Sequence, residues 1–248
     1  MLDFFKKVFG KQDLTPADLG QLTVDIHSHL LPGIDDGAQT LEDSMELIEE
    51  LTKLGYSRFI TTPHIMGDFY KNSPETILPK LDLVREELAK RNMDVQIDAA
   101  AEYYLDYEFN DKLKSGHLLT FGKNQLLFEL SFINPPDGLD GVVFDIQTKG
   151  YTPVLAHPER YLYWMEKFDR LEELRERGVL FQINLLSIVG HYGPPCKKFA
   201  EKLIDKNWFE FLGSDLHNMK HIASLNRGIA DPYLKKALEL NLAKNNQL

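Results

Sequence analysis

The stretch Asp25-Ile26-His27-Ser28-His29 opens the chemistry of this chain. A strand sends residues i and i+2 to the same side, so a short strand over 23–26 lets His27 and His29 reach one ion together. The Gly/Pro/Asp-rich run behind them, 30–37, reads as a loop and carries Asp36. A lone H-x-H is a short motif, and satisfied core or surface histidines produce it as well. Its weight here comes from recurrence, because later apolar runs also end on a donor. His64 follows 58–62, Glu102 follows 95–101, Glu129 follows 125–128 and His157 follows 152–156, while Asp215 and His217 follow 208–213.

The elements that must position these donors alternate. Seven apolar runs of strand length (23–26, 58–62, 95–101, 125–128, 152–156, 179–184 and 208–213) are separated by helical periodicity. The helices are predicted over 40–55, 74–91, 140–149, 167–177, 196–207 and 231–243. Strand–helix alternation, interrupted only between 101 and 125 where no helix is predicted, implies a parallel sheet, and 248 residues are the size at which such a sheet closes into a barrel. In a barrel the C-terminal ends of all strands meet at one rim. A doubly wound open sheet is the competing architecture, but no Gly-rich phosphate or dinucleotide turn follows the first strand. Without a linker, repeat or low-complexity run, the chain reads as one domain over 1–248, with 1–21 as an N-terminal extension. Within it, Phe4, Phe5, Val8 and Phe9 against Lys6, Lys7 and Lys11 suggest a short basic amphipathic helix. Such a helix could touch a membrane surface weakly, or pack on its own barrel or on a neighbouring subunit of a homo-oligomer.

Composition narrows the function. The formal charge of −10 disfavours an extended nucleic-acid surface, since phosphate backbones are held by Lys and Arg. One cysteine, Cys196, rules out a disulfide within the chain and a thiolate-dominated metal site, which fits a reducing cytoplasm. No run approaches the ~20 apolar residues of a membrane span. Cys196 is also the one candidate for a cysteine nucleophile, and the position six residues on, where that chemistry places an arginine, is Lys202.

Nine nitrogen and oxygen donors exceed what one ion needs. Catalytic zinc takes about three protein ligands, and octahedral ions keep places for water. The count therefore points to two or three divalent ions. Imidazole and carboxylate donors suit Mn, Fe, Zn or Co, and the sequence does not choose among them.

The motifs Asp25-x-His27-x-His29, Thr62-Pro63-His64, Ala101-Glu102-Tyr103-Tyr104, Phe128-Glu129, Ala156-His157-Pro158-Glu159-Arg160 and Ser214-Asp215-x-His217-Asn218, in this order, resemble the polymerase-and-histidinol-phosphatase (PHP) superfamily. Within it they are most similar to the bacterial protein tyrosine phosphatases found with capsule and exopolysaccharide genes. The resemblance implies a distorted (β/α)7 barrel and a metal centre usually credited to manganese. It places the ligands on His27, His29, Asp36, His64, Glu102, Glu129, His157, Asp215 and His217, and the phosphate-binding arginine on Arg160. Family members often carry a second arginine shortly after Asp-x-His. Here only Lys220 stands nearby, as a substitute phosphate contact.

The chemistry so implied is hydrolysis of phosphotyrosine by a metal-bridging hydroxide, with no covalent intermediate. Three dications against the four carboxylates Asp36, Glu102, Glu129 and Asp215 leave about +2, which lets an acidic protein hold a phosphate dianion. Arg160 can grip the equatorial oxygens, and Asp36 is a candidate acid at the rim. Phe69, Tyr70, Tyr103, Tyr104, Tyr107, Tyr161, Tyr163 and Trp164 all follow ligand motifs. Some of these rings, Tyr104 among them, are expected to clasp the substrate, and the rest to pack loops over the barrel. The partner implied is a phosphotyrosine protein, the tyrosine-rich tail of a bacterial tyrosine kinase. A histidinol-phosphatase-like small-molecule phosphatase, a nuclease and a metal-binding scaffold without catalysis are the alternatives.

Overall fold

The structure, a computed structural model, describes residues 15–248, without the side chains of 241–243. The amphipathic reading of 1–11 thus lies outside the described residues. Among the described residues nine strands form: β1 (Val24–Asp25), β2 (Arg58–Thr61), β3 (His64–Ile65), β4 (Gln96–Ala99), β5 (Glu102–Tyr104), β6 (Gln125–Glu129), β7 (Thr152–Ala156), β8 (Leu180–Asn184) and β9 (Phe211–Gly213). The helices are α1 (Leu41–Lys53), α2 (Pro74–Lys90), α3 (Phe109–Ser115), α4 (Leu139–Thr148), α5 (Phe168–Glu176), α6 (Leu185–Ile188), α7 (Pro194–Asp205), α8 (Met219–Gly228) and α9 (Pro232–Asn245).

The named strands pair in parallel throughout, in two ladders: β1-β2-β4, and β3-β5-β6-β7-β8-β9. The ladders are parts of one barrel. β2 and β3 form one stave broken at Thr62-Pro63, where proline has no N–H to give the ladder. β4 and β5 form another, broken at Ala100-Ala101. Hydrogen bonds from Ala100 N to Thr61 O (2.9 Å) and from Glu102 N to Pro63 O (3.1 Å) keep the two staves joined across the breaks. The ring closes where Ser28 bridges Leu216, with Asp215 N donating to His27 O (2.7 Å) and His29 N to Leu216 O (2.9 Å). Seven staves result, a distorted (β/α)7 barrel as the alternation predicts.

The core divides accordingly. Val24, Ile60, Ala100, Leu127, Val154, Ala156 and Phe211 form a compact cluster with Phe121, whose ring meets Phe211 edge-on at 5.5 Å. One comes from nearly every stave, so this cluster fills the lumen. Residues of opposite parity, such as Leu126, Phe128 and Leu155, join the larger core beneath the helices. The lumen cluster closes the barrel from below and leaves its upper end to polar side chains.

Helix ends follow local chemistry. Thr40 Oγ1 accepts from Asp43 N (3.1 Å) and Asp43 Oδ2 accepts from Thr40 N (2.9 Å), a capping box that starts α1 right after the loop of Asp36. Several expectations need correction. The third predicted strand is two segments, and the seventh begins at Phe211 rather than 208, because Trp208 N still bonds back to Leu203 O of α7. The sequence reading also passes over α3, α6 and α8. The first two are short. α8 has a helix signal that the reading overlooks: Asn218 caps it through Lys220 N, and Ile222 and Leu225 are buried on one face.

Candidate metal centre

The barrel rim gathers what the strand ends carry. Glu102, at the start of β5, sits in the middle, fully buried. Its Oε2 lies 3.1 Å from His27 Nε2, 3.2 Å from His64 Nδ1 and 3.5 Å from His29 Nε2, and its Oε1 lies 2.9 Å from His157 Nε2. Asp215 Oδ1 faces His27 Nε2 (3.5 Å) and His29 Nε2 (3.4 Å) from the opposite wall. Glu129, at the end of β6, is 3.2 Å from His64 Nδ1. Asp36 Oδ1 is 3.5 Å from both His64 Nε2 and His217 Nε2 at the open side, where the Asp36 side chain keeps 52% exposure.

These donors fall into three overlapping groups: His29, Asp36, His64 and His217; His27, His29, Glu102 and Asp215; and His64, Glu102 and Glu129. Within each group the candidate ligand atoms lie within 4.8 Å of one another. His157 adjoins the groups through Glu102 and Glu129. All nine residues expected from the sequence are therefore together. The donor set fits divalent ions on a second count: His29 Nε2 and His64 Nδ1 are buried and have no hydrogen-bond partner among the described residues. A cation takes up such lone pairs.

Charge in the cluster is finely opposed. Burial alone would drive protons off His64, but Glu102 and Glu129 outweigh it and hold the imidazole up at about 9. His27 and His29 are raised against burial in the same way, His29 strongly, by Glu102, Asp215 and Asp35. The carboxyls of Glu102 and Asp215 are pushed up by burial and brought far below the usual range by the surrounding histidines. Asp36 is lowered too, with His217 overcoming its burial, so it stands as a carboxylate suited to ligation rather than as a proton donor.

Behind these donors lies a ring of partners. His29 Nδ1 meets Asp35 Oδ2 at 2.8 Å, and Asp35 in turn accepts from Gly37 N (2.9 Å) and His64 N (3.1 Å). His27 Nδ1 meets Gln182 Oε1 at 2.7 Å; Gln182 Nε2 donates to Asn184 Oδ1 (2.9 Å), and Asn184 Nδ2 to Asp215 Oδ2 (2.5 Å). Each bond sets which ring nitrogen faces the cluster. Two of these donors sit in left-handed backbone, His157 at φ 34° and Asp215 at φ 50°, a conformation that costs a non-glycine residue ~1–3 kcal/mol and bends the chain at the rim. Gly213 permits the approach of His27: a Cβ there would lie 2.6 Å from His27 Cβ.

A cavity of about 550 Å³ opens above the cluster. Arg160 lines it from the turn after β7, with Nη1 donating to Asp215 Oδ2 (2.9 Å). Of the expected aromatics, Phe69, Tyr70 and Tyr104 line the cavity. Tyr103, Tyr161 and Trp164 are buried in the core, Tyr163 donates to Ser131 O (2.9 Å), and Tyr107 is exposed beside Asp68. Lys220 does not line the cavity: it is exposed in the first turn of α8, and the next residue, His221, faces the cavity instead. Sequence reasoning missed Asp35, Gln182, Asn184, Phe132, Tyr192 and His221. The doubled Asp35-Asp36 was a usable signal, whereas Gln182 and Asn184 sit in a strand that carries no ligand. Cys196 is buried in α7 near Ser187 (Sγ to Oγ 3.5 Å), and burial pushes its thiol up to about 12, so it is no nucleophile.

A parallel barrel whose rim carries overlapping histidine and carboxylate groups, with an arginine over them, defines a metal-dependent hydrolase of the PHP type. More narrowly, the chain belongs to the CpsB/CapC family of capsular polysaccharide synthesis, whose model matches residues 23–243. It is 33% identical over 198 residues to tyrosine-protein phosphatase YwqE of Bacillus subtilis (strain 168), covering 79% of this chain and 78% of that one. It is 28% identical over 223 residues to tyrosine-protein phosphatase CpsB of Streptococcus agalactiae, covering 88% of each. Among solved structures it superposes with a TM-score of 0.76 and 31% identity, over 88% of this chain and 85% of the other. That structure comes from work on YwqE of Bacillus subtilis and CpsB of Streptococcus pneumoniae, described as unique metal-dependent tyrosine phosphatases. No helix among the described residues is long and apolar enough to cross a membrane.

Proposed function

We propose that this protein is a metal-dependent protein tyrosine phosphatase whose centre is built by His27, His29, Asp36, His64, Glu102, Glu129, His157, Asp215 and His217. The observation that carries the reading is the convergence on Glu102 of donors from several strand ends beneath a cavity walled by Arg160. Three overlapping donor groups suit two or three ions, and the all-N/O set suits manganese, with Fe, Zn and Co as competitors. When bound, such ions supply Lewis acidity toward water and toward a phosphoryl oxygen.

The chain's own residues do the rest. Arg160 presents a planar fork to the equatorial oxygens, where charge gathers during phosphoryl transfer. Tyr70, whose ring stacks on His64 at 5.5 Å, and Tyr104 offer aromatic faces to a phenyl ring entering the cavity. The leaving tyrosinate, with a parent pKa of about 10, needs little protonation. The substrate is a phosphotyrosine protein, and the tyrosine-rich tail of a bacterial tyrosine kinase in the cytoplasm is the partner in keeping with capsule synthesis. The chain serves as one barrel domain.

Turnover of p-nitrophenyl phosphate, a phosphotyrosine peptide and histidinol phosphate with added Mn²⁺ tests the reading. It expects the aryl phosphates to be hydrolysed at rates lost on chelation. A kcat/KM for histidinol phosphate far above that for phosphotyrosine would replace it with the small-molecule alternative, and activity on none of the three would end it.

A further inference from the structure

The guanidinium carbon of Arg160 lies 4.3 Å from the ring centroid of Phe132 and 4.3 Å from that of Tyr192. Phe132 comes from the loop after β6 and Tyr192 from the loop between α6 and α7, so two unrelated segments supply one clamp. Each ring is itself fixed. Phe132 stacks on Tyr161 at 5.7 Å and lies 5.6 Å from the ring of the ligand His157. Tyr192 packs edge-on against His191 at 4.9 Å, and its Oη donates to Asp215 Oδ2 (3.3 Å). The same Asp215 oxygen receives Arg160 Nη1 at 2.9 Å. Nε and Nη2 of Arg160 have no protein acceptor among the described residues, although the side chain is only 22% exposed, and both residues and their arginine line the cavity.

An arginine side chain has many rotamers, and holding it costs entropy that substrate binding must otherwise supply. Here two rings lie within cation–π distance of the guanidinium and Asp215 ties down one edge. The remaining N–H groups are left in the cavity, aimed before any ligand arrives. We infer that Phe132 and Tyr192 are positioning residues that pre-orient Arg160 for the phosphoryl oxygens. The inference rests on the phosphatase reading.

The test uses full-length, metal-loaded protein. KM and kcat for p-nitrophenyl phosphate are measured together with calorimetric binding of inorganic phosphate, which needs no turnover. Tyr192→Leu and Phe132→Leu are each expected to weaken phosphate binding and raise KM about fivefold, the scale of one lost cation–π contact, with a smaller change in kcat. Tyr192→Phe, which keeps the ring, restores most of the loss. In an Arg160→Ala background the leucine substitutions cost nothing further, because the rings act through the arginine. An equal loss in that background, or a Tyr192→Phe variant as weak as Tyr192→Leu, overturns the inference. Unaltered metal content and Tm in the variants separate positioning from damage to the fold. Phosphate binding that obeys this pattern in a protein that hydrolyses no aryl phosphate would sink the phosphatase reading and leave the clamp standing.

Discussion

Asp35 Oδ2 pairs with His29 Nδ1 at 2.8 Å and also accepts the His64 amide at 3.1 Å, so one buried carboxylate outside the proposed ligand set orients two histidines within it. A carboxylate behind a ligating imidazole fixes its tautomer and raises its basicity. Asp35→Ala is therefore expected to lower metal affinity by about 10–100-fold and turnover with it at limiting metal, with partial recovery at high Mn²⁺. Asp35→Asn should fall between. Metal titration followed by activity at each concentration checks this, and an unchanged half-saturation would count against it.

Gly213 sits where a side chain would collide with the donor cluster. Its ideal Cβ falls 2.6 Å from His27 Cβ and 2.8 Å from Gln182 Nε2. Gly213→Ala must displace His27, and overpacking of this kind costs ~1–3 kcal/mol. The variant is expected to lose Tm by several degrees and to retain less than a tenth of wild-type kcat/KM. Wild-type kinetics in this variant would mean that His27 is free to move.

Much of this site could be read from the chain beforehand, and the reason is physical. Ligands at strand ends follow apolar runs whose period is visible, so His64, Glu102, Glu129 and His157 each announce themselves. Asp35 was obscured by its neighbour Asp36, since nothing in the pair says which carboxylate turns inward. Phe132 and Tyr192 were not legible at all. They lie in loops without periodicity, and only the tertiary fold brings them to Arg160. Lys220 illustrates the opposite error: sequence proximity to Asp215 suggested a phosphate contact, and the first turn of α8 carries it away from the cavity.

The pH response of the metal-free protein has a definite sign. His64 is held at about 9, above its ordinary 6.5, so its contribution to stability is full below pH 6.5 and is lost as pH rises toward 9. That group alone accounts for about 3 kcal/mol, and His27 and His29 are shifted in the same direction. Chelated protein is expected to lose several degrees of Tm between pH 6.5 and 9. Saturating Mn²⁺ should offset the fall, because the ions need the same imidazoles unprotonated. Thermal melts across this range, with and without chelator, decide the matter; a flat chelated profile would contradict it.

Thiol chemistry should be dispensable. Cys196 is buried with a thiol near 12 and lies in α7 beside Ser187. Cys196→Ala is expected to keep kcat/KM within about twofold of wild type at a stability cost of ~1 kcal/mol for the small cavity. Iodoacetamide should not inactivate the native protein. Loss of turnover on either treatment would return a cysteine nucleophile to consideration.

The central claim is that donors from separate strand ends share ions around Glu102. Elemental analysis of wild-type protein and of Glu102→Ala, both equilibrated with Mn²⁺ and assayed on a phosphotyrosine peptide, tests it most directly. The account expects two or three ions per wild-type chain, at least one fewer in the variant, and turnover reduced by at least two orders of magnitude. Equal metal content in the two proteins, or full activity in either after exhaustive chelation, would contradict it.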